Sequence, residues 1–258
     1  MVIPPEAPAI RRPCDDDTDS IGPLGEPLGQ NGAVGSVALF DLDNTLVDRT
    51  TAFRAWAARF ATEHGLGEEG LAWLCAADED GFARREALFE GARQHFGLAG
   101  TVEDLVVGYR RSYPAGFQPS PPVNDALRSL RRAGWRIGVV TNGPPSQREK
   151  IARSGLDDLV DALCISDEIG SAKPDRRIFE EAVLRCGASG ASPGTVVMVG
   201  DTPEPDIGGG RAMGFRTIWL HRGRTWPRTD YRPDLTAASV VEAIDLLLTG
   251  SPLLSASR

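Results

Sequence analysis

The stretch VALFDLDNTLVD, Val37 to Asp48, sets an apolar run directly against two carboxylates. Val37 to Phe40 has the length and composition of a buried strand, and it stops abruptly at Asp41, Leu42, Asp43 and Asn44. Charge at the end of a core strand needs a reason, and the rest of the sequence supplies one.

Downstream of Val123, short apolar strands alternate with helical patterns. A helix through Ala126, Leu127 and Leu130 precedes the strand WRIGVVTN, and Ser146 with Glu149 predicts a capped helix ending near Gly155. There follow the strand ALCIS, a helix from Pro174 to Cys186, the strand TVVMVGD, a helix after Asp206, the strand FRTIWL and a closing helix from about Ala237 to Leu248. This alternation predicts an α/β fold, a Rossmann-like, doubly wound parallel sheet covered by helices on both faces.

Between the first strand and that series lies an all-helical block. Phe53, Trp56, Ala57 and Phe60 recur at helical spacing, as do Leu71, Leu74 and Cys75, then Val102, Leu105, Val106 and Tyr109, with Thr101 and Asp104 forming a capping box. The organisation expected is a core from residues 37–50 and 114–250, a helical insert over 51–113, a disordered tail over 1–36 and a short C-terminal tail over 251–258. The N-terminal segment is rich in Pro, Gly and Asp without a sustained apolar period, so it lacks the means to offset its ordering entropy.

At 258 residues and 41% hydrophobic content the chain can bury a sizeable core. Cys14, Cys75, Cys164 and Cys186 form no CxxC pair, so neither a disulfide framework nor a zinc site is suggested. No apolar run approaches the ~20 residues that span a bilayer, and the N-terminus has proline and acid where a secretory signal has an apolar core. A cytoplasmic protein without membrane association is expected. The net charge is −8, of which residues 1–36 carry −4, and no basic stripe points to nucleic acid. Of 28 basic residues only Lys150 and Lys173 are lysine, so each invites the question of whether a compact ammonium is required there. Lys150, within a helix, reads as an exposed charge.

In an open parallel sheet, ligands bind beyond the carboxyl ends of the strands. The first strand ends on Asp41 and Asp43, the second on Thr141 and Asn142, and a later one on Gly200 and Asp201, with Asp206 five residues on and Lys173 just before a helix. Carboxylates gathered at one edge repel one another unless a cation lies among them, and an all-oxygen set suits Mg²⁺. A lysine and a hydroxyl suit a phosphate. An Asp can attack phosphorus while a second carboxyl handles the proton.

In order and placement these residues resemble the haloacid dehalogenase (HAD) superfamily, in its Mg²⁺-dependent phosphatase branch. DLDNTLVD resembles that family's first motif, VVTNG the second, SAKPD the third and VGDTPEPDIGGGRAMGF the fourth. The resemblance implies Asp41 as nucleophile and Asp43 as general acid and base. It implies Thr141, the Asn142 backbone amide and Lys173 as phosphoryl contacts, and Mg²⁺ held by Asp41, the Asp43 carbonyl, Asp201 and Asp206. Asp43 points to phosphate esters, because the dehalogenases, whose halide leaves without a proton, lack it. The helical insert resembles the family's cap, which makes Arg49, Arg54, Arg84 and Arg85 candidates for contacting the rest of a small phosphorylated metabolite. The activity implied is hydrolysis of a phosphomonoester through an aspartyl phosphate. The alternatives are a phosphomutase of the same superfamily and, from another class, a phospho-receiver or binding module; Asp43 and the insert weigh against the receiver.

Overall fold

The computed structural model describes residues 35–250; the two expected tails lie outside the described residues, apart from Gly35 and Ser36. Six parallel strands form one sheet: β1 (Val37–Phe40), β2 (Arg136–Thr141), β3 (Ala162–Ile165), β4 (Val196–Gly200), β5 (Arg216–Leu220) and β6 (Leu235–Ala237). Their order is β3-β2-β1-β4-β5-β6. The chain runs outward from β1 in one direction, returns to β4 on its other side and runs outward again. The crevice where a ligand binds in such sheets therefore opens at the end of β1.

β1 pairs with both neighbours in the same register, Phe40 standing opposite Val139 of β2 and Val199 of β4. Alternation along β1 sends Ala38 and Phe40 to one face and Val37 and Leu39 to the other. All four are fully buried, as expected of a central strand in a doubly wound sheet.

Between β1 and β2 come α1 (Arg49–Glu63), α2 (Gly67–Ala77), α3 (Arg85–Phe96) and α4 (Val102–Ser112), with single 3₁₀ turns at Glu79–Gly81 and Tyr113–Gly116. This is the expected helical insert, and the Thr101–Asp104 capping box opens α4. Phe53, Trp56 and Phe60 are buried, with Trp56 stacked on Phe60 at 5.1 Å and edge-on to Tyr109 at 4.8 Å. They are core residues. The same apolar cluster continues into the sheet face bearing Ala38 and Phe40, so insert and sheet share one interior.

The remaining helices are α5 (Pro121–Arg132), α6 (Gln147–Arg153), α7 (Ser166–Ile169), α8 (Arg176–Arg185), α9 (Gly209–Ala212) and α10 (Val240–Leu248). Three sequence expectations need correction. Ser146 stands at the start of α6 but its side chain makes no cap, because its backbone is already helical (φ −63°, ψ −10°), whereas a capping residue is extended. The strand Leu235–Ala237 was not anticipated, being three residues long and too short for a period to show. Asp206 lies within a π-helical turn, Pro203–Gly208, that leads into α9.

Gly200 closes β4 and shows why a glycine precedes Asp201. A Cβ there would stand 2.3 Å from Asp206 Oδ2. The Asp206 carboxylate can reach the end of β4 only if that position has no side chain. Gly200→Ala should therefore destabilise the fold by about 2–3 kcal/mol through overpacking and lower the thermal midpoint by several degrees. An unchanged midpoint in a thermal melt would show that Asp206 can move aside freely.

Candidate active site

Asp41 follows β1 directly, and its N–H donates to Val199 O at 2.9 Å, extending the ladder to β4 by one step. Its carboxylate is fixed by Lys173, whose Nζ donates to Asp41 Oδ1 and to Asp206 Oδ1, each at 2.7 Å. All three side chains are buried. Asp41 Oδ2 makes no hydrogen bond among the described residues, which leaves one carboxylate oxygen for chemistry. Burial, reinforced by the nearby Asp206 and Asp201 and opposed by Lys173, pushes the Asp41 carboxyl from its ordinary 3.8 up to about 8. Burial raises that of Asp206 as well. Lys173 moves up despite burial, because Asp206 and Asp41 both hold its charge.

Asn142 sets the position of Lys173 through the backbone. Its side-chain amide donates to Lys173 O at 2.9 Å, and its Oδ1 accepts from Lys173 N at 2.8 Å. Thr141, at the end of β2, accepts from Gln147 Nε2 at 2.8 Å and keeps its own hydroxyl proton to donate.

Asp201 follows β4. Its carboxylate Oδ2 accepts from Arg222 at 2.8 Å and from Arg224 at 3.0 Å, and Thr202 donates to Oδ1 at 3.1 Å. Oxygens of Asp41, Asp201 and Asp206 lie within 4.8 Å of one another, all three residues buried. Three buried carboxylates in an all-oxygen set, two of them raised in pKa although a lysine stands between them, fit a hard divalent cation.

Asp43 stands apart from that trio. The chain turns sharply after β1: Thr45, Leu46 and Val47 all donate to Leu42 O, and Asn44 is left-handed at φ 61°. The Asp43 carboxylate consequently faces α6, where Lys150 Nζ donates to both its oxygens at 2.7 Å and Gln147 donates at 3.0 Å. Burial would raise the Asp43 carboxyl, but the charge of Lys150 and the hydrogen bonds of Gln147 and Lys150 hold it below its ordinary value. Lys150 is thus not an exposed charge. It is 7% exposed, its ammonium lying over the rings of Tyr113 and Phe117 at 5.5 and 5.2 Å. A helix carries such a residue inward when its opposite face meets another element, and here the insert covers α6. The rarity of lysine in this chain was the available signal.

The candidate arginines separate into two pairs. Arg49 is buried and forms a two-pronged pair with Asp78 at 2.6 and 2.7 Å; Arg85 reaches the same carboxylate at 2.8 Å. Arg54 and Arg84 are exposed and line neither cavity beside Asp43. One of these cavities, about 260 Å³, is walled by Asp41, Asp43, Thr141, Asn142, Lys173, Asp201 and Asp206 and by Asp80, Gly81 and Phe82 of the insert. The other, about 320 Å³, adjoins it beyond Asp43 and Arg49. Sequence reasoning missed Asp80 and Arg222, which meet at 2.9 Å and join the insert to Asp201.

A parallel sheet with a helical insert after its first strand, and acidic, hydroxyl and lysine groups converging at successive strand ends, defines a hydrolase of the haloacid dehalogenase type. Residues 36–214 match the family described as haloacid dehalogenase-like hydrolase, and the chain belongs to it. It is 34% identical over 197 residues to phosphoserine phosphatase of Thermus thermophilus, covering 74% of this chain and 73% of that one. It is 32% identical over 199 residues to glyceraldehyde 3-phosphate phosphatase of Pyrococcus abyssi, covering 73% and 82%. Haloacid dehalogenases are also among the similar proteins. The fold is similar to that of the magnesium-bound putative HAD-hydrolase YfnB from Bacillus subtilis, with a TM-score of 0.68 at 23% identity, covering 83% of this chain and 98% of that one. No helix among the described residues is long and apolar enough to cross a membrane.

The Lys150–Asp43 pair yields a stability prediction. Lys150→Met keeps an apolar stem against Tyr113 and Phe117 but leaves Asp43 without its ammonium, and should cost roughly 3 kcal/mol at pH 7. Because the folded-state pKa of Asp43 is depressed, the pair's contribution is present above the ordinary carboxyl value of 3.8 and is lost as pH falls through the lower folded-state pKa. Urea denaturation of both proteins should show a gap that narrows from pH 7 to pH 3; a gap of constant size would mean that packing, not charge, is what Lys150 provides.

Proposed function

We propose that this chain is a Mg²⁺-dependent phosphatase that hydrolyses a small phosphomonoester through an aspartyl phosphate on Asp41. The observation that carries the reading is the division of the carboxylates. Asp41, held by Lys173, belongs to the acidic trio and keeps one oxygen unengaged, while Asp43 borders the same cavity but belongs to a separate network. A dehalogenase has no proton for such a second carboxyl to manage.

In this reading Asp41 Oδ2 attacks phosphorus. Lys173 orients the attacking carboxylate and offsets the charge of the phosphoryl oxygens, and the Thr141 hydroxyl and the Asn142 backbone N–H donate to those oxygens. A divalent cation held by Asp41, Asp201 and Asp206 would supply further neutralisation of nucleophile and phosphoryl group. Asp43 rests ionised beside Lys150. Arrival of a phosphate dianion raises its pKa by like-charge repulsion, so that it takes up a proton from solvent and gives it to the leaving oxygen as the P–O ester bond breaks. Once the alcohol has departed, the same carboxylate receives a proton from the water that hydrolyses the acyl phosphate. The insert, whose residues Asp80, Gly81 and Phe82 wall the cavity, excludes bulk water and serves as the cap.

Asp41→Asn should reduce turnover of p-nitrophenyl phosphate at least ~10⁴-fold in the presence of Mg²⁺, since it removes the nucleophile itself. Phosphate release persisting near the wild-type rate would refute the covalent route, and halide release from 2-chloropropionate without phosphatase activity would move the chain to the dehalogenases. Cation binding is testable without turnover. Asp41 in the cation-free protein has its carboxyl raised to about 8, so between its ordinary 3.8 and 8 the folded state keeps a proton that the unfolded state has lost. That contribution to stability is therefore present at low pH and declines as pH rises. Mg²⁺ replaces the proton. Its effect on the thermal midpoint should be small at pH 5 and larger at pH 8, where saturation at a hundredfold above Kd is worth about 2.7 kcal/mol. A pH-independent increment, or none, would place Mg²⁺ elsewhere.

A further inference from the structure

The cavity beyond Asp43 lies between the insert and the start of α6, and it shares Asp43, Arg49, Gly81 and Asn142 with the cavity over Asp41. A substrate whose phosphoryl group stands over Asp41 therefore has its leaving group in this second chamber. Its wall is unusual in charge. Arg49 and Arg85 share the single carboxylate of Asp78, and Lys150 is matched by Asp43. Lys150 and Asp43 balance, whereas around Asp78 two cations face one anion. Arg49 and Lys150 are at least nine-tenths buried and the Arg85 side chain is 15% exposed, so the surplus positive charge is largely withdrawn from water.

Such a surplus is unfavourable unless an anion completes it. Asp167, which accepts from Ser166, places a carboxylate on the α7 side of the chamber, and Arg110 at the exposed rim is paired with Glu86 at 3.4 Å, so the unmatched charge is confined to the Arg49–Arg85 end. A second observation is independent of charge. Tyr113 lines the chamber and is 4% exposed, and its hydroxyl is buried without a hydrogen-bond partner. A buried hydroxyl with no partner among the described residues is available to donate to a ligand that enters the chamber.

Building on the phosphatase reading, we propose that this chamber is an oxyanion subsite: the substrate's leaving group carries a carboxylate or a second phosphate, which is held by the Arg49–Arg85 pair and the Tyr113 hydroxyl. The substrate is then a dianchored molecule, one oxyanion over Asp41 and the other against the starts of α1 and α3 and the turn at Tyr113. Because Arg49 and Arg85 are fixed by Asp78, they meet the ligand already ordered, and little side-chain freedom is lost on binding.

The test compares matched esters on the full chain with Mg²⁺: 2-phosphoglycolate against ethyl phosphate for a carboxylate, and glycerol 1,3-bisphosphate against glycerol 3-phosphate for a phosphate. In at least one pair the oxyanion-bearing member should be favoured in kcat/KM by about 30-fold, the scale of a hydrogen-bonded charge contact, and the pair that shows it identifies the source of the anion. Arg85→Gln should bring that ratio below ~5, and Tyr113→Phe should lower it about threefold, a change that a hydroxyl serving only the fold would not produce. Calorimetric titration of the Asp41→Asn protein with the same esters reads the preference without turnover. If the phosphatase reading fails but the subsite is real, the oxyanion-bearing ester still binds more tightly there. Ratios near one in both assays, or a preference untouched by both Arg85→Gln and Tyr113→Phe, would overturn the subsite whether or not phosphate is released.

Discussion

Everything at the end of β1 depends on one ammonium placed between two buried carboxylates. Lys173 bonds Asp41 and Asp206 at the same distance and opposes the burial and mutual repulsion that raise both carboxyls. Unit charges about 4 Å apart interact by ~4 kcal/mol at an effective dielectric constant of 20, and here one ammonium makes two such contacts. The surroundings serve that arrangement. Asn142 fixes the lysine by its backbone, and Gly200 leaves room for the Asp206 carboxylate. Thr202 N–H holds the other Asp206 oxygen at 2.9 Å. Three strand ends and one π-helical turn are thereby tied to a single point of charge.

A second network, on α6, is separate in its contacts but adjacent in space. Gln147 and Lys150 are one helical turn apart and so project from the same face. Gln147 touches Thr141 and Asp43, while Lys150 touches Asp43 and the rings that end the insert. The short helix thus connects the Thr141 hydroxyl, the Asp43 carboxylate and the covering helices. Motion of the insert cannot occur there without being felt at Asp43.

Much of this was legible in the sequence, for identifiable reasons. Strand ends in a parallel sheet are read from where apolar runs stop, so Asp41, Thr141, Asn142 and Asp201 could be placed together before any coordinates. Lys173 and Asp206 followed from the motifs they occupy. What was not legible concerned side chains whose direction is decided by tertiary contacts. Lys150 looked solvated because helix periodicity alone does not say which faces of α6 are covered. Asp43 turns towards α6 because the chain leaves strand geometry at Leu42, a change of direction that the motif does not reveal. Arg222 and Asp80 lie 142 residues apart, and no local pattern relates them. The two arginine pairs were indistinguishable as letters, and only Asp78 separates them.

The segment that closes the cavity from above has an uneasy backbone. Glu79, Asp80 and Gly81 have successive φ values of 51°, 54° and 100°, and two of the three are not glycine. Left-handed conformations at such residues cost on the order of 1 kcal/mol or more each. Opposing this are contacts of Asp80 with Arg222, Asn44 and Thr50, largely exposed and individually worth about 0.5–1 kcal/mol. Strain and contacts are of the same order, so the roof of the site keeps its place through a few polar contacts to Asp80, the first that a molecule entering beneath it would compete for.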